Sequence, residues 1–248
     1  MQPFTLEGKT VLVTGASSGI GRAVAIACSK AGAKCVLVDK NEEGAKETLS
    51  LCSGEGHVVE VVDLTDYEAL KALVERVPAV DGLVQSAGII DNWTPLKFLS
   101  PKFVDQVLDI NLKVPILLLA LMEKRKKLNK GGSVVMMSSI ASFCASIAHS
   151  LYAASKGGLE AFVRGAALEL ASRRIRVNSL STAMVNTPLI AFSELSEEQK
   201  RQDEAKYPLK RYGEPEEVAN ATLYLLSDAS SWVTGQQIVM DGGFTIGK

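Results

Sequence analysis

Thr10-Val-Leu-Val-Thr14-Gly15-Ala-Ser-Ser-Gly19-Ile-Gly21-Arg-Ala23 is the stretch that decides how this chain folds. Its first five residues are an apolar, β-branched run, its middle is a glycine turn, and Val24, Ile26, Ala27 and Ala31 follow with helical spacing. Strand, tight turn and helix in that order make an anion site. Free backbone amides of the turn and of the helix N-terminus point at a phosphate, and glycines let it come close. A glycine turn also serves as a plain strand-to-helix connection, so its neighbours have to support the reading.

The next strand, Lys34 to Val38, ends at Asp39, 18 residues beyond Gly21. A carboxylate there accepts hydrogen bonds from ribose hydroxyls and repels a 2′-phosphate, which favours NAD over NADP; Lys40 beside it acts the other way, so NADP stays possible. His57 to Val62 reads as a third strand running into Asp63 and Leu64, with Asp66 capping a helix over Tyr67 to Val77. A fourth strand, Gly82 to Ser86, stops at the small turn Ala87-Gly88. An apolar-periodic helix is predicted from Ser100 to Leu128, with Asn111 in mid-course as a tolerated surface residue, a backbone-bonding kink or the holder of a local break in the ladder. Ser133 to Met137 is a fifth strand, closed by Ser138-Ser139, and Arg174 to Asn178 begins a sixth. Residues 183–212 form a long polar connection that reads as a substrate lid. A capped helix from Glu214 through Ser227 and a strand over Gln237 to Met240 close the chain. The alternation predicts an α/β fold: one domain over 1–248, built on a single doubly wound parallel sheet with helices on both faces.

At 47% hydrophobic residues the 248-residue chain can bury a full core, and a net charge of −1 gives nucleic acid no general attraction. The longest apolar run, Pro115 to Met122, is far short of a membrane span, and the first nine residues show no secretory pattern. Cys28, Cys35, Cys52 and Cys144 have neither metal-ligand nor disulfide spacing. The expectation is a cytoplasmic protein with reduced thiols, no metal, and a small-molecule partner.

Tyr152 and Lys156 stand four apart in a predicted helix, on one face. A phenol ordinarily keeps its proton up to about pH 10, and an adjacent ammonium favours its ionised form. This is acid–base equipment placed just after the Ser138-Ser139 strand end.

Together these pieces resemble the short-chain dehydrogenase/reductase family across essentially the whole chain: Thr14-Gly15-x-x-x-Gly19-x-Gly21, the Asp63 turn, Ala87-Gly88, Asn111, Ser139 and Tyr152-x-x-x-Lys156. The resemblance implies a Rossmann sheet of about seven strands and a catalytic tetrad of Asn111, Ser139, Tyr152 and Lys156. It implies a cofactor site made by Gly15, Ser17, Ser18, Gly19, Ile20, Asp39, Asp63, Leu64, Ser86, Gly88, Val185 and Thr187, with Tyr152 and Lys156. The implied activity is hydride transfer between nicotinamide and a secondary alcohol or ketone. It also implies a homotetramer packed through the Ser100 to Leu128 and Tyr152 to Ser172 helices. Two departures stand out: Ser86 where the family usually has Asn, and Thr182-Ala183 where it usually has Pro-Gly.

Reduction of a 3-oxoacyl group on an acyl-carrier protein is the alternative activity. Its docking patch would be Lys124, Arg125, Lys126, Lys127, Lys130, Arg173, Arg174 and Arg176. A non-catalytic nucleotide sensor on the same fold is disfavoured by the intact tetrad, and a sugar-nucleotide epimerase by the lack of a longer C-terminal substrate region. His149, Trp93, Phe143, Ala141 and Met184 are candidate pocket residues, with His149 read as packed or solvent-facing.

Overall fold

The computed structural model describes residues 4–188 and 196–247. Seven apolar runs form strands: β1 Thr10–Thr14, β2 Lys34–Asp39, β3 Val58–Val61, β4 Val80–Gln85, β5 Leu128–Ser139, β6 Arg176–Thr182 and β7 Gln237–Met240. They pair, all in parallel, in the order β3-β2-β1-β4-β5-β6-β7. Parallel neighbours need crossovers, and the helices supply them: α1 Gly19–Lys30, α2 Glu42–Leu51, α3 Tyr67–Arg76, α4 Pro101–Leu108, α5 Val114–Lys124, α6 Ser150–Leu170, α7 Glu197–Glu204 and α8 Pro215–Leu226.

Strand alternation sends Val11 and Val13 to one core, with α1 and α8, and Leu12 to the other, with α3, α5 and α6. β6 is buried along its whole length. Leu118, Leu119, Leu121 and Met122 are buried in the second of these cores, so most of the Pro115 to Met122 apolar run is core packing. Local chemistry sets the helix starts. Asn41 caps α2 by accepting from Gly44 N at 3.1 Å, and Asp66 accepts from Glu68 N and Ala69 N to cap α3.

The Ser100 to Leu128 helix has a break at Asn111, one of the roles expected of that residue, and its C-terminal end is corrected. It is interrupted by a π turn over Asp109–Lys113, which is where Asn111 sits, and it ends at Lys124. Leu128 already belongs to β5, after a reversal in which Lys126 takes φ 55°.

The departure at Thr182-Ala183 leaves the sheet intact. Thr182 pairs with Ser139 on one side and Met240 on the other, and Ala183 N donates to Met240 O at 3.1 Å. Beside it, Val185 bridges to Gly213. Of the expected lid, residues 189–195 lie outside the described residues. The remainder is anchored: Tyr207 and Tyr212 are buried edge to face, and the Tyr212 hydroxyl donates to Asp203 at 2.8 Å.

Candidate active site

All strands point the same way, so their C-terminal ends share one edge, and β1 lies between β2 and β4 where the winding changes direction. A cleft of about 420 Å³ opens there, lined by Gly15, Ser17, Ser18, Gly19, Ile20, Asp39, Asp63, Leu64, Ser86, Gly88 and Thr187 among others. Eleven of the expected cofactor positions therefore meet in one place. Val185 does not; it is buried against the core and borders a second cleft with Tyr207 and Met240.

The turn is shaped for close approach. Gly15 has φ 70°, and a Cβ on Gly21 would stand 2.1 Å from Gly15 O. The N-cap Ser18 makes no side-chain capping bond, and the first turn of α1 carries no acid, so its amides are open to an anion. Asp39 braces the turn, accepting from Ser17 N at 3.0 Å and Asn41 N at 2.9 Å. The Thr187 methyl lies 3.3 Å from where a Gly19 Cβ would be, closing the cleft from above. A cradle of glycines, an uncapped helix terminus and a carboxylate at the second strand end fit a dinucleotide.

Ser86 does little through its side chain. Thr14 Oγ1 instead accepts from Ser86 N at 3.1 Å and Ala87 N at 3.2 Å, so a buried threonine ties the central strand ends together.

Behind the cleft the four expected catalytic residues are brought together from three elements, the π turn, β5 and α6. Asn111, 1% exposed, exchanges hydrogen bonds with the backbone of Ile89, both at 2.9 Å, and reaches Ser155 Oγ at 3.3 Å. Lys156 Nζ donates to Met137 O at 2.9 Å and lies 5.6 Å from the Tyr152 ring centre. Ser139 ends β5 and hydrogen-bonds the Tyr152 hydroxyl. Ser138, one residue back, is buried on the other side with an unpartnered Oγ. Alternation along the strand puts the two serines on opposite sides.

Electrostatics depart from the simple picture of a cation ionising a phenol. Burial pushes Tyr152 up to about 12, against the downward pull of its hydrogen bond to Ser139, with the Asp91 carboxylate adding to the rise. Burial likewise pushes Lys156 down to about 8, opposed by Glu160. Desolvation outweighs charge pairing in both groups. The phenol therefore keeps its proton at neutral pH.

Sequence reasoning missed two acids. Glu160 continues the Tyr152 and Lys156 face of α6 one turn further; it is 4% exposed and accepts from Ser179 at 2.6 Å and Ser181 at 2.8 Å. The i, i+4, i+8 repeat of polar residues on an otherwise apolar helix was the available signal. Asp91, fully buried, holds His149 and the backbone of Tyr152. No local pattern announces it.

The expected cation patch is partly neutralised in the fold. The two helix ends do meet, since Arg173 pairs with Glu123. Four more of the cations are engaged locally, however: Arg125 pairs with Glu75 at 2.7 Å, Lys126 with Glu123 at 3.0 Å, Lys127 caps two carbonyls, and Arg176 is buried against Leu225 and Ser227 carbonyls, while Lys124, Lys130 and Arg174 are exposed. These residues also lie at the far end of α6 from Tyr152, roughly 30 Å along a helix of 21 residues.

Among the described residues no cluster could hold a metal ion, and no helix is long and apolar enough to cross a membrane. The four cysteines are free, with burial raising Cys28, Cys35 and Cys52.

Comparison with known proteins agrees with this geometry. A family model described as enoyl-(acyl carrier protein) reductase matches residues 15–245. The chain is 35% identical over 238 residues to the 3-oxoacyl-[acyl-carrier-protein] reductase FabG of Rickettsia felis, covering 96% of this chain and 97% of that one. It is 36% identical to the D-threitol dehydrogenase of Mycolicibacterium smegmatis, covering 98% and 95%. A candidate 2-deoxy-D-gluconate 3-dehydrogenase from Agrobacterium tumefaciens, solved with bound NADP, superposes with a TM-score of 0.91 at 29% identity over 99% of this chain and all of its own. With its seven-stranded parallel sheet, its glycine cleft and its Ser-Tyr-Lys cluster, the chain belongs to the short-chain dehydrogenase/reductase family, a family of nicotinamide-dependent oxidoreductases.

Proposed function

We propose that this enzyme reduces the ketone of a small molecule to a secondary alcohol, and runs the reverse reaction, with Ser139, Tyr152, Lys156 and Asn111 as its working residues. The observation that carries this is the convergence of Ser139, a proton-holding Tyr152 and a buried Lys156 beside the dinucleotide cleft. Ser139 and Tyr152 bind the carbonyl oxygen, and Tyr152 gives it a proton as negative charge develops there. Lys156, fixed by Met137 O, holds the ribose and supplies positive charge below the phenol. Asn111 keeps the π turn and the Ile89 backbone in place behind it. The nicotinamide supplies the hydride. A panel of ketones and alcohols, assayed at 340 nm with both cofactors, tests the reading. Turnover of at least one carbonyl above background is expected, and none across the panel overturns it.

NAD(H) is the cofactor we propose it prefers, because the Asp39 carboxylate borders the cleft at the second strand end. Asp39 also braces the turn, so Asp39→Asn, which keeps the shape and removes the charge, is the cleaner probe. The ratio of kcat/KM for NAD over NADP should fall by about tenfold or more, as expected for losing a repulsion worth about 1.4 kcal/mol. A wild-type preference for NADPH would sink this and point to Lys40, which lines the same cleft.

A carrier-linked 3-oxoacyl substrate is the second reading, supported by the Rickettsia relative's name. Against it, five of the eight cations expected to dock a carrier are ion-paired or bonded to carbonyls, and the group lies at the far end of α6 from Tyr152. A homotetramer, checked by light scattering at micromolar concentration, is also proposed; Leu168 at 81% and Trp232 at 98% exposure are apolar groups such an assembly would cover.

A further inference from the structure

His149 and Asp91 form a pair against the reacting tyrosine that the tetrad does not use. His149 Nδ1 is 2.5 Å from Asp91 Oδ1, while Asp91 Oδ2 accepts from Tyr152 N at 3.1 Å. Tyr152 and Trp93 both stack on the imidazole, with ring centres 4.6 Å and 4.4 Å away. The backbone is bent to make this arrangement. Asn92, Trp93 and Ala148 take φ of 48°, 52° and 61°, left-handed conformations that residues with side chains disfavour, and they flank the pair on both sides.

Ring packing alone would not call for a buried carboxylate, which is costly unless paired. What Asp91 adds is orientation. A carboxylate only accepts, so it fixes the proton on Nδ1 and leaves the neutral ring's lone pair on Nε2. Burial favours the neutral ring, Asp91 opposing. Nε2 has no hydrogen-bond partner among the described residues, and it is not among their fully enclosed polar atoms. It is an oriented acceptor, not fully enclosed, on a ring stacked against Tyr152.

We propose that His149, oriented by Asp91, accepts a hydrogen bond from a hydroxyl on the carbon next to the reacting one, so that the substrates are α-hydroxy ketones and vicinal diols. This rests on the ketoreductase reading above and narrows it. With the carbonyl oxygen held by Tyr152 and Ser139, a neighbouring hydroxyl lies beside the ring that covers Tyr152. A 3-oxoacyl chain offers only methylene carbons there and leaves the acceptor unpaired, which a site built for hydroxyl recognition disfavours.

The test compares reduction of acetoin with butan-2-one, which differ by that one hydroxyl. The wild-type protein should prefer acetoin by at least about tenfold in kcat/KM. His149→Phe keeps a ring for the stack and removes the acceptor, so the ratio should fall toward one; His149→Gln, which retains an acceptor, should restore part of it. A packing role would instead lower both substrates by the same factor, and that result overturns the proposal. So does a wild-type ratio within about twofold, which is read without any variant and so decides even where a variant fails to fold. Turnover of other carbonyls without a hydroxyl preference sinks this inference alone. No turnover across the whole panel sinks the ketoreductase reading with it.

Discussion

Tyr152→Phe should lower kcat by at least about 100-fold while NADH binds within about threefold of its wild-type affinity. The substitution removes one oxygen. The ring that stacks on His149 and lies 5.6 Å from Lys156 Nζ remains, so the local packing has no reason to change. What is lost is the only acid that Ser139 positions at the end of β5. Lys156→Ala should differ in kind: it deletes the group bound to Met137 O, and both turnover and NADH binding should fall. Binding is read by quenching of protein fluorescence, turnover at 340 nm. A Phe variant that keeps more than about a tenth of wild-type kcat would falsify the assignment of Tyr152 as proton donor.

The second large effect is expected at the turn. Gly21→Ala places a methyl group 2.1 Å from Gly15 O, a backbone atom that cannot rotate away. Relief requires the turn to open, and overpacking of this kind costs about 1–3 kcal/mol. Because the same turn lines the cleft proposed for the dinucleotide, the displacement should appear as weaker cofactor binding, by roughly 100-fold if about 2.7 kcal/mol is lost. Gly165→Ala is the control. A Cβ there meets nothing within 4 Å in the middle of α6, so cofactor affinity should not move and the helix should gain up to about 1 kcal/mol. Calorimetric titration of NADH into both variants checks the pair, and equal affinities would show that the turn is not the dinucleotide cradle.

The strands and the turn were readable because their signals are local: β-branched runs, glycines at fixed offsets, and Asp or Asn before a helix. The same locality explains the failures. Helical periodicity ran on from Lys124 to Leu128 because the reversal between them is made by Lys126 at φ 55°, where a glycine would have flagged it. The cation cluster looked unbalanced because Glu75 and Glu123 lie elsewhere in the sequence and return only in the fold. Asp91 pairs with a histidine 58 positions away and Glu160 with serines on β6, so neither has a motif of its own. The direction of the tyrosine and lysine shifts was hidden for a related reason: spacing reveals a neighbouring charge but not how much water folding removes.

The strand order carries a consequence for how the molecule comes into being. β1 must find β4 across two intervening strands, and every other pairing also closes over a crossover, so the contacts are predominantly between distant parts of the chain. Such topologies fold slowly, since the entropy of closing each loop is lost before the contact rewards it. The final strand is the sensitive one. Until residues 237–240 emerge and dock, β6 is an edge of seven buried-type residues with its ladder groups bare. During synthesis, then, the strand most exposed to pairing with another unfinished chain is one that ends up buried along its whole length, and its protection depends on residues 237–240, which are made well after it.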